Sequence, residues 1–338
     1  MPRTRIEWCD YSLNPGIYGC SHVSRGCDHC YAVRAARRLV GAGIYPPGIV
    51  DEHGWTGKVI VDESKIGHAF STLPKRKRAT VFITSMGDLF HPVVPDGFRC
   101  KVWGEMASRP HLTFLVLTKR VKEMERFAAK YYRDPFPMET WSFRYNWCEP
   151  LPNVLLGASV EDQQAANEHI PALLRILAAG WFVSLEPLLG PIDLERIPLI
   201  AGYGYGWANP LQGIHPSLRT STENRRLHWV IVGGETGPDA RPMHPDWVRS
   251  IRNQCRRHAV PFFFKQWGGW VPGSQQGGGR IKYAMSLTGK VSPFTWEDME
   301  RVEPGHKKWE AVRRGQGKCR TLDGEVWDEV PWSFNEGD

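Results

Sequence analysis

Residues Thr80–Thr118 read TVFITSMGDLFHPVVPDGFRCKVWGEMASRPHLTFLVLT. TVFIT and LTFLVL are short β-branched and aromatic runs that lack the polar alternation of a half-exposed strand. Each is therefore expected to be buried on both faces, as in a parallel sheet. Between them Phe98, Val102 and Met106 recur every fourth residue after Pro95-Asp96, which makes one apolar stripe of a helix. The unit is strand, crossover helix, strand.

The same alternation extends along the chain through Val154–Ala158 (VLLGA), Trp181–Leu185 (WFVSL), Trp229–Val232 (WVIV) and Pro261–Phe264 (PFFF). Val121, Met124, Phe127 and Tyr131 form a second helical stripe. Trp247 or Val248, Ile251 and Cys255 form a third, after Pro245, a residue suited to the first turn of a helix. A further unit precedes these, with a strand near Ile6–Trp8 and a helix over Tyr31–Val40. The expected fold is α/β, a (β/α) partial or complete TIM-like barrel of six to seven parallel strands. It spans 1–268, with an insertion at about 201–226 that opens on AGYGYGWAN, a length typical of a lid or binding loop. Residues 269–338 read as a C-terminal extension packed on the barrel. They open with the glycine-rich linker Gly273–Gly279 and carry Trp296, Trp309, Trp327 and Trp332.

The 338 residues are 41% hydrophobic and 23% charged, ordinary values for a globular enzyme-sized chain, and they exclude a mostly disordered one. No apolar run reaches the ~18 residues of a membrane span. The N-terminal MPRTRIEWCD carries charge where a secretion signal needs its apolar core, so a cytoplasmic protein without a membrane partner is expected. The net charge of +7 is compatible with a polyanionic partner.

Each apolar run ends in polar residues: Ser85-Met86-Gly87-Asp88, Thr118-Lys119-Arg120, Ser159-Val160-Glu161, Glu186-Pro187, Gly233-Gly234-Glu235 and Lys265-Gln266-Trp267. In a β/α barrel these ends converge on the face that carries the active site. Helix capping is the plainer explanation for any one of them. Of the eight cysteines, Cys9, Cys100, Cys148, Cys255 and Cys319 are scattered, whereas Cys20, Cys27 and Cys30 follow a C-x6-C-x2-C spacing that runs into a helix. A helix N-terminus favours thiolates. Three thiols suit an iron–sulfur cube with one iron left open; zinc completed by His22 or His29 is the competing possibility, and coincidental buried thiols the third.

A three-cysteine loop at the start of a β/α chain resembles the radical S-adenosylmethionine (SAM) superfamily. More closely, the chain is similar to a phage-associated radical-SAM-like family of largely undefined function, through IEWCDYSLNP, GCSHVSRGCDHCYA, ITSMGDLFHPVVP, FLVLTKR, LPNVLLGASVED, FVSLEPLLGPID, WVIVGGETGPDARPMHPDWVRSIRNQC, VPFFFKQWG and LDGEVWDEVP. The resemblance implies that Cys20, Cys27 and Cys30 hold a [4Fe–4S] cluster, that SAM chelates the open iron, and that an electron from a reducing donor yields a 5′-deoxyadenosyl radical that abstracts hydrogen from a substrate. The chain departs from the commonest superfamily pattern. Six residues separate the first two thiols, His29 precedes the third, and Gly233-Gly234-Glu235 ends a late strand instead of an early one.

Position assigns the remaining roles. Ser85, Gly87 and Asp88, with Thr118, Lys119, Ser159, Glu161 and Glu186, are expected on the SAM side, and Glu235 and Lys265 on the substrate side as catalytic residues. Arg120 shares with Lys119 the possibility of binding a carboxylate or phosphate. The favoured substrate is a nucleic acid or nucleotide, because exposed aromatics such as Tyr203–Trp207 can stack on bases and Lys75-Arg76-Lys77-Arg78 can follow a phosphate backbone. The alternatives are a radical SAM enzyme acting on a peptide or small metabolite, and a zinc-stabilised nucleic-acid-binding protein without SAM chemistry.

Overall fold

The computed structural model describes residues 3–131, 150–201, 204–213, 225–272, 283–285, 291–293, 309–313 and 319–332. Cys148, Tyr203, residues 214–224 of the insertion, the Gly273–Gly279 linker and Trp296 lie outside them.

The N-terminal part runs β1 (Tyr11–Leu13), β2 (Ile17–Tyr18), α1 (Tyr31–Gly41), β3 (Ile60–Val61), α2 (Lys65–Ser71), β4 (Ala79–Ile83), α3 (Asp96–Ala107), β5 (Leu112–Thr118), α4 (Val121–Tyr131) and β6 (Val154–Ser159). Then follow α5 (Gln163–Arg175), β7 (Gly180–Leu185), β8 (Ile197–Ala201), β9 (Gly204–Ala208), β10 (Trp229–Gly233), α6 (Pro245–Arg257) and β11 (Phe262–Gln266). The fold is α/β, on a seven-stranded parallel sheet in the order β1-β4-β5-β6-β7-β10-β11. Among the described residues β1 and β11 are its edges, so the sheet is open where a complete barrel would close. Its inner strands are the continuous apolar runs: every residue of β4, β7 and β10 is buried.

Two expectations need correction. Ile6–Trp8 is not a strand; the buried Trp8 indole lies 4.7 Å from the Phe82 ring as a core plug, and the first strand is Tyr11–Leu13, in parallel register with Val81–Ile83. The AGYGYGWAN segment is not simply a loop. Ile197–Ala201 and Gly204–Ala208 pair as an antiparallel hairpin. The segment after Trp267 holds its own antiparallel sheet, in the order β12-β15-β13-β14, from β12 (Trp270–Pro272), β13 (Tyr283–Met285), β14 (Val291–Pro293) and β15 (Trp309–Arg313). A short pair, β16 (Thr321–Leu322) and β17 (Glu325–Val326), follows.

The chain forms two compact units, Met1–Ser159 with Pro171–Phe182 and Trp332–Asp338, and Val160–Ile170 with Val183–Pro331. In the first, Phe90, Trp103 and Phe127 pack with ring centroids 5.3–6.0 Å apart, while the Asn153 amide donates to the carbonyls of Met106, Arg109 and Leu112, closing the end of α3 onto the sheet. In the second, Pro245 opens α6 as expected, and His244 Nδ1 accepts the Asp246 N–H. Gln254 ties α6 to Ile192 and Leu194, and the Phe264 N–H donates to the Trp327 carbonyl. Among the described residues no helix is long and apolar enough to cross a membrane.

Candidate functional site

The cysteine loop of the first unit leaves β2 at Gly19. A side chain there would meet the Lys58 carbonyl oxygen at 2.2 Å, and its φ of +99° suits only glycine comfortably. The loop then makes a single 3-10 turn, Arg25–Cys27, and Cys30 caps α1. Cys20, Cys27 and Cys30 are all free and half-buried. Burial works against the expected thiolate character. Burial, more than any other cause, pushes the Cys20 thiol up to about 11; the Asp88 charge adds to this and Arg120 opposes it. Burial also raises Cys30, although the N–H groups of Ala32 and Val33 and the Trp55 indole act the other way. Desolvation of the anion outweighs the helix terminus here.

The side chain that holds the loop is anchored by Asp88. The backbone reaches it through Thr84, whose φ of 61° is unusual for a β-branched residue and marks a constrained turn at the end of β4. Asp88 Oδ1 accepts from Thr118 Oγ1 at 2.7 Å and from the Phe90 N–H at 2.9 Å. Its Oδ2 accepts from Arg120 Nη1 at 2.8 Å, and the two charged side chains are only 9% and 7% exposed. Arg120 in turn donates through Nη2 to the carbonyl and hydroxyl of Ser21 at 3.0 and 2.8 Å, and its Nη1 lies 3.8 Å from Cys20 Sγ. His91 completes the ring of partners. Its Nδ1 accepts the Val93 N–H, which leaves Nε2–H to donate to Ser21 Oγ at 2.9 Å. Burial lowers the His91 pKa, in keeping with that neutral tautomer.

The structure thus brings Asp88 and Thr118 to the cysteine loop, but as a bracket for Arg120. Lys119 Nζ reaches Ser24 Oγ on the same loop at 3.3 Å. Ser85 Oγ accepts from Ser12 at 2.6 Å, and its carbonyl accepts from the Tyr31 hydroxyl at the start of α1. Gly87 packs against the β2 end of the loop, where a Cβ would lie 3.3 Å from Ile17 Cγ2. Ser159 ends β6 in this unit and is buried. Sequence reasoning missed Ser12, Ser21, Tyr31 and His91. The only signal for His91 was its place three residues after Asp88. Of the two histidines considered as zinc ligands, His22 pairs with Asp28 at 2.7 Å, and His29 is exposed. Among the described residues no three His, Cys, Asp or Glu side chains gather about one point as a single metal ion requires.

The second unit holds another set. Lys265 Nζ stands 3.1 and 3.2 Å from the two carboxylate oxygens of Glu186, and Ser184 Oγ donates to Glu186 Oε2 at 3.1 Å. Gly233 leaves the space this carboxylate fills, since a Cβ there would come within 2.1 Å of Glu186 Oε1. Glu235 is 5% exposed and is gripped by Arg241, through Nε to Oε2 at 2.9 Å, Nη2 to Oε1 at 2.7 Å, and the Arg241 N–H to Oε2 at 2.8 Å. Glu161 is buried just beyond β6, and its carbonyl accepts the Leu189 N–H at 2.7 Å.

Residues 3–331 match a family described as Protein of unknown function (DUF5131). No curated protein and no solved structure matches the chain.

Proposed function

The chain belongs to the family of that description, and we propose from its residues that it is a radical SAM enzyme on a partial TIM-like barrel. Cys20, Cys27 and Cys30 would hold a [4Fe–4S] cluster and leave one iron to SAM. The observation that carries the reading is the C-x6-C-x2-C loop seated between the helix α1 N-terminus and the buried Arg120–Asp88 pair. The donor set suits the group, because each thiolate of a cube takes its own iron and the sulfurs need not converge. When bound, the cluster supplies the electron that splits SAM into methionine and the 5′-deoxyadenosyl radical that takes hydrogen from the substrate. The chain itself orients and shields these reactants. Lys119, Ser85, Gly87 and Ser159 are its SAM-side groups, with Asp88 and Thr118 acting through Arg120. Lys265 and Glu235 are the substrate-side groups, each held by a partner of opposite charge. A reducing electron donor is the required partner.

Anaerobic reconstitution, reduction and an assay for 5′-deoxyadenosine test the reading. The expected result is a brown protein that releases 5′-deoxyadenosine from SAM. One equivalent of zinc with no iron uptake would overturn it in favour of a zinc-stabilised nucleic-acid-binding protein.

Nucleic acid or a nucleotide is the substrate class we favour, on the basic balance and on Trp207, which is 61% exposed with the Arg196 guanidinium 4.4 Å from its ring centroid. The exposed Lys75–Arg78 run precedes β4, whereas Ser85–Asp88 follows it. A strand of five residues separates them by about 16 Å, so the run can add affinity without touching the chemistry. Neutralising all four residues should weaken binding of single-stranded nucleic acid at low salt and flatten its salt dependence, with 5′-deoxyadenosine formation in the absence of substrate unchanged. Absent binding at low salt, with turnover of a free metabolite or peptide, would move the substrate to those classes.

A further inference from the structure

We infer that Arg120 is a positioning residue that, through Cys20, sets the reduction potential of the proposed cluster; the inference rests on the radical SAM reading above. An arginine side chain that is 9% exposed is costly unless its charge and donors are matched. Here the matching is complete on one side and directed on the other. Asp88 holds Nη1 and is itself fixed by Thr118 Oγ1 and the Phe90 N–H, so the guanidinium plane cannot swing away. Nη2 then clamps both the carbonyl and the hydroxyl of Ser21, the residue next to Cys20. Nη1 is left 3.8 Å from Cys20 Sγ, within reach of a hydrogen bond to sulfur.

The consequence for a cluster bound through Cys20 has a definite sign. A permanent positive charge and a donor at one ligand sulfur stabilise the more negative, reduced state and raise the potential. Low exposure keeps solvent from screening the effect. Lys119 has the same charge, but its ammonium is directed to Ser24 Oγ. Removing the Arg120 charge also leaves the Asp88 carboxylate, 7% exposed, without its cation beside the same sulfur. Both changes disfavour reduction.

The test is a redox titration of anaerobically reconstituted, SAM-free protein, with dithionite as reductant and the EPR signal of the reduced cluster as readout, alongside iron analysis. Arg120→Gln is expected to shift the midpoint to more negative potential with iron retained. Arg120→Lys, which keeps the charge but loses the fork, should fall between Gln and the native residue. Arg25→Gln makes the same charge change at an exposed site on the same loop and should leave the midpoint where it was, because solvent and salt screen it. If Arg120→Gln binds no iron, Arg120→Lys decides. Full iron content with an unshifted midpoint would overturn the inference and leave the radical SAM reading standing. A native protein that takes up no iron would overturn both.

Discussion

Alanine at Cys20, Cys27 or Cys30 is expected to abolish iron binding, from about four irons and four sulfides per reconstituted chain to almost none. Losing one of three ligands leaves a cluster with two protein bonds, so the effect should approach all or none. The other cysteines are the internal controls. Cys9 and Cys255 are 7% and 0% exposed among core side chains, and burial drives the Cys255 thiol far above its ordinary pKa. Such a thiol behaves as a small hydrophobe. Alanine at Cys255 should therefore lower stability by about 1–2 kcal/mol and leave the iron in place. Cys100, Cys148 and Cys319 should be dispensable for iron as well. Iron and sulfide analysis with visible absorbance reads the outcome, and native iron content in all three loop variants would refute the cluster assignment.

The sheet was legible because burial on both faces leaves no choice of residue. The runs at 80–84, 112–117, 154–158, 181–185, 229–232 and 261–264 each fall on a strand of the parallel sheet to within two residues. The edge strand β1 was not legible, since Tyr11-Ser12-Leu13 carries one fully buried side chain and owes its place to pairing with β4. Trp8 misled for the opposite reason: an apolar residue can be core without being strand. The pairs β8–β9 and β13–β14 escaped because antiparallel hairpins of three to five residues are set by pairing partners more than by local pattern.

The candidate site was legible in part. Polar residues at the ends of buried strands pointed to Asp88 and Thr118, which bond to each other and hold Arg120, the residue that touches the cysteine loop. What one sequence could not say is which of two adjacent cations turns inward. Lys119 and Arg120 are equal in charge, and it is the carboxylate of Asp88, 32 positions away, with Ser21 on the loop, that selects Arg120. Nor could residue type show that Asp88 would spend both oxygens on internal partners. Glu235 repeats the lesson, since Arg241, six residues on, binds both of its oxygens.

The adjacent glycines at the end of β10 should separate fold from chemistry. A Cβ at Gly234 would meet the Trp267 carbonyl oxygen at 2.0 Å and its carbon at 2.5 Å. These are backbone atoms of the turn that closes β11, and the Gly234 N–H already donates to the Gln266 carbonyl at 2.9 Å. Neither side can retreat without breaking that junction, so Gly234→Ala should destabilise the second unit by about 3 kcal/mol or more, the upper end of overpacking costs. At Gly233 the nearest atom is Glu186 Oε1, at 2.1 Å. That is the tip of a side chain, which can swing aside at the cost of its contacts with Lys265 Nζ and Ser184 Oγ. Gly233→Ala is thus expected to fold with a much smaller loss of stability but to part Glu186 from Lys265, reducing product formation while 5′-deoxyadenosine release without substrate continues. Gly206→Ala, at an exposed position of β9 with nothing within 4 Å of a Cβ, provides the neutral comparison for stability. Thermal or denaturant unfolding of the three variants, followed by the two activity readouts, distinguishes the roles. Equal stability loss at Gly233 and Gly234 would show that Glu186 is fixed as firmly as backbone and that the Gly-Gly pair serves packing alone.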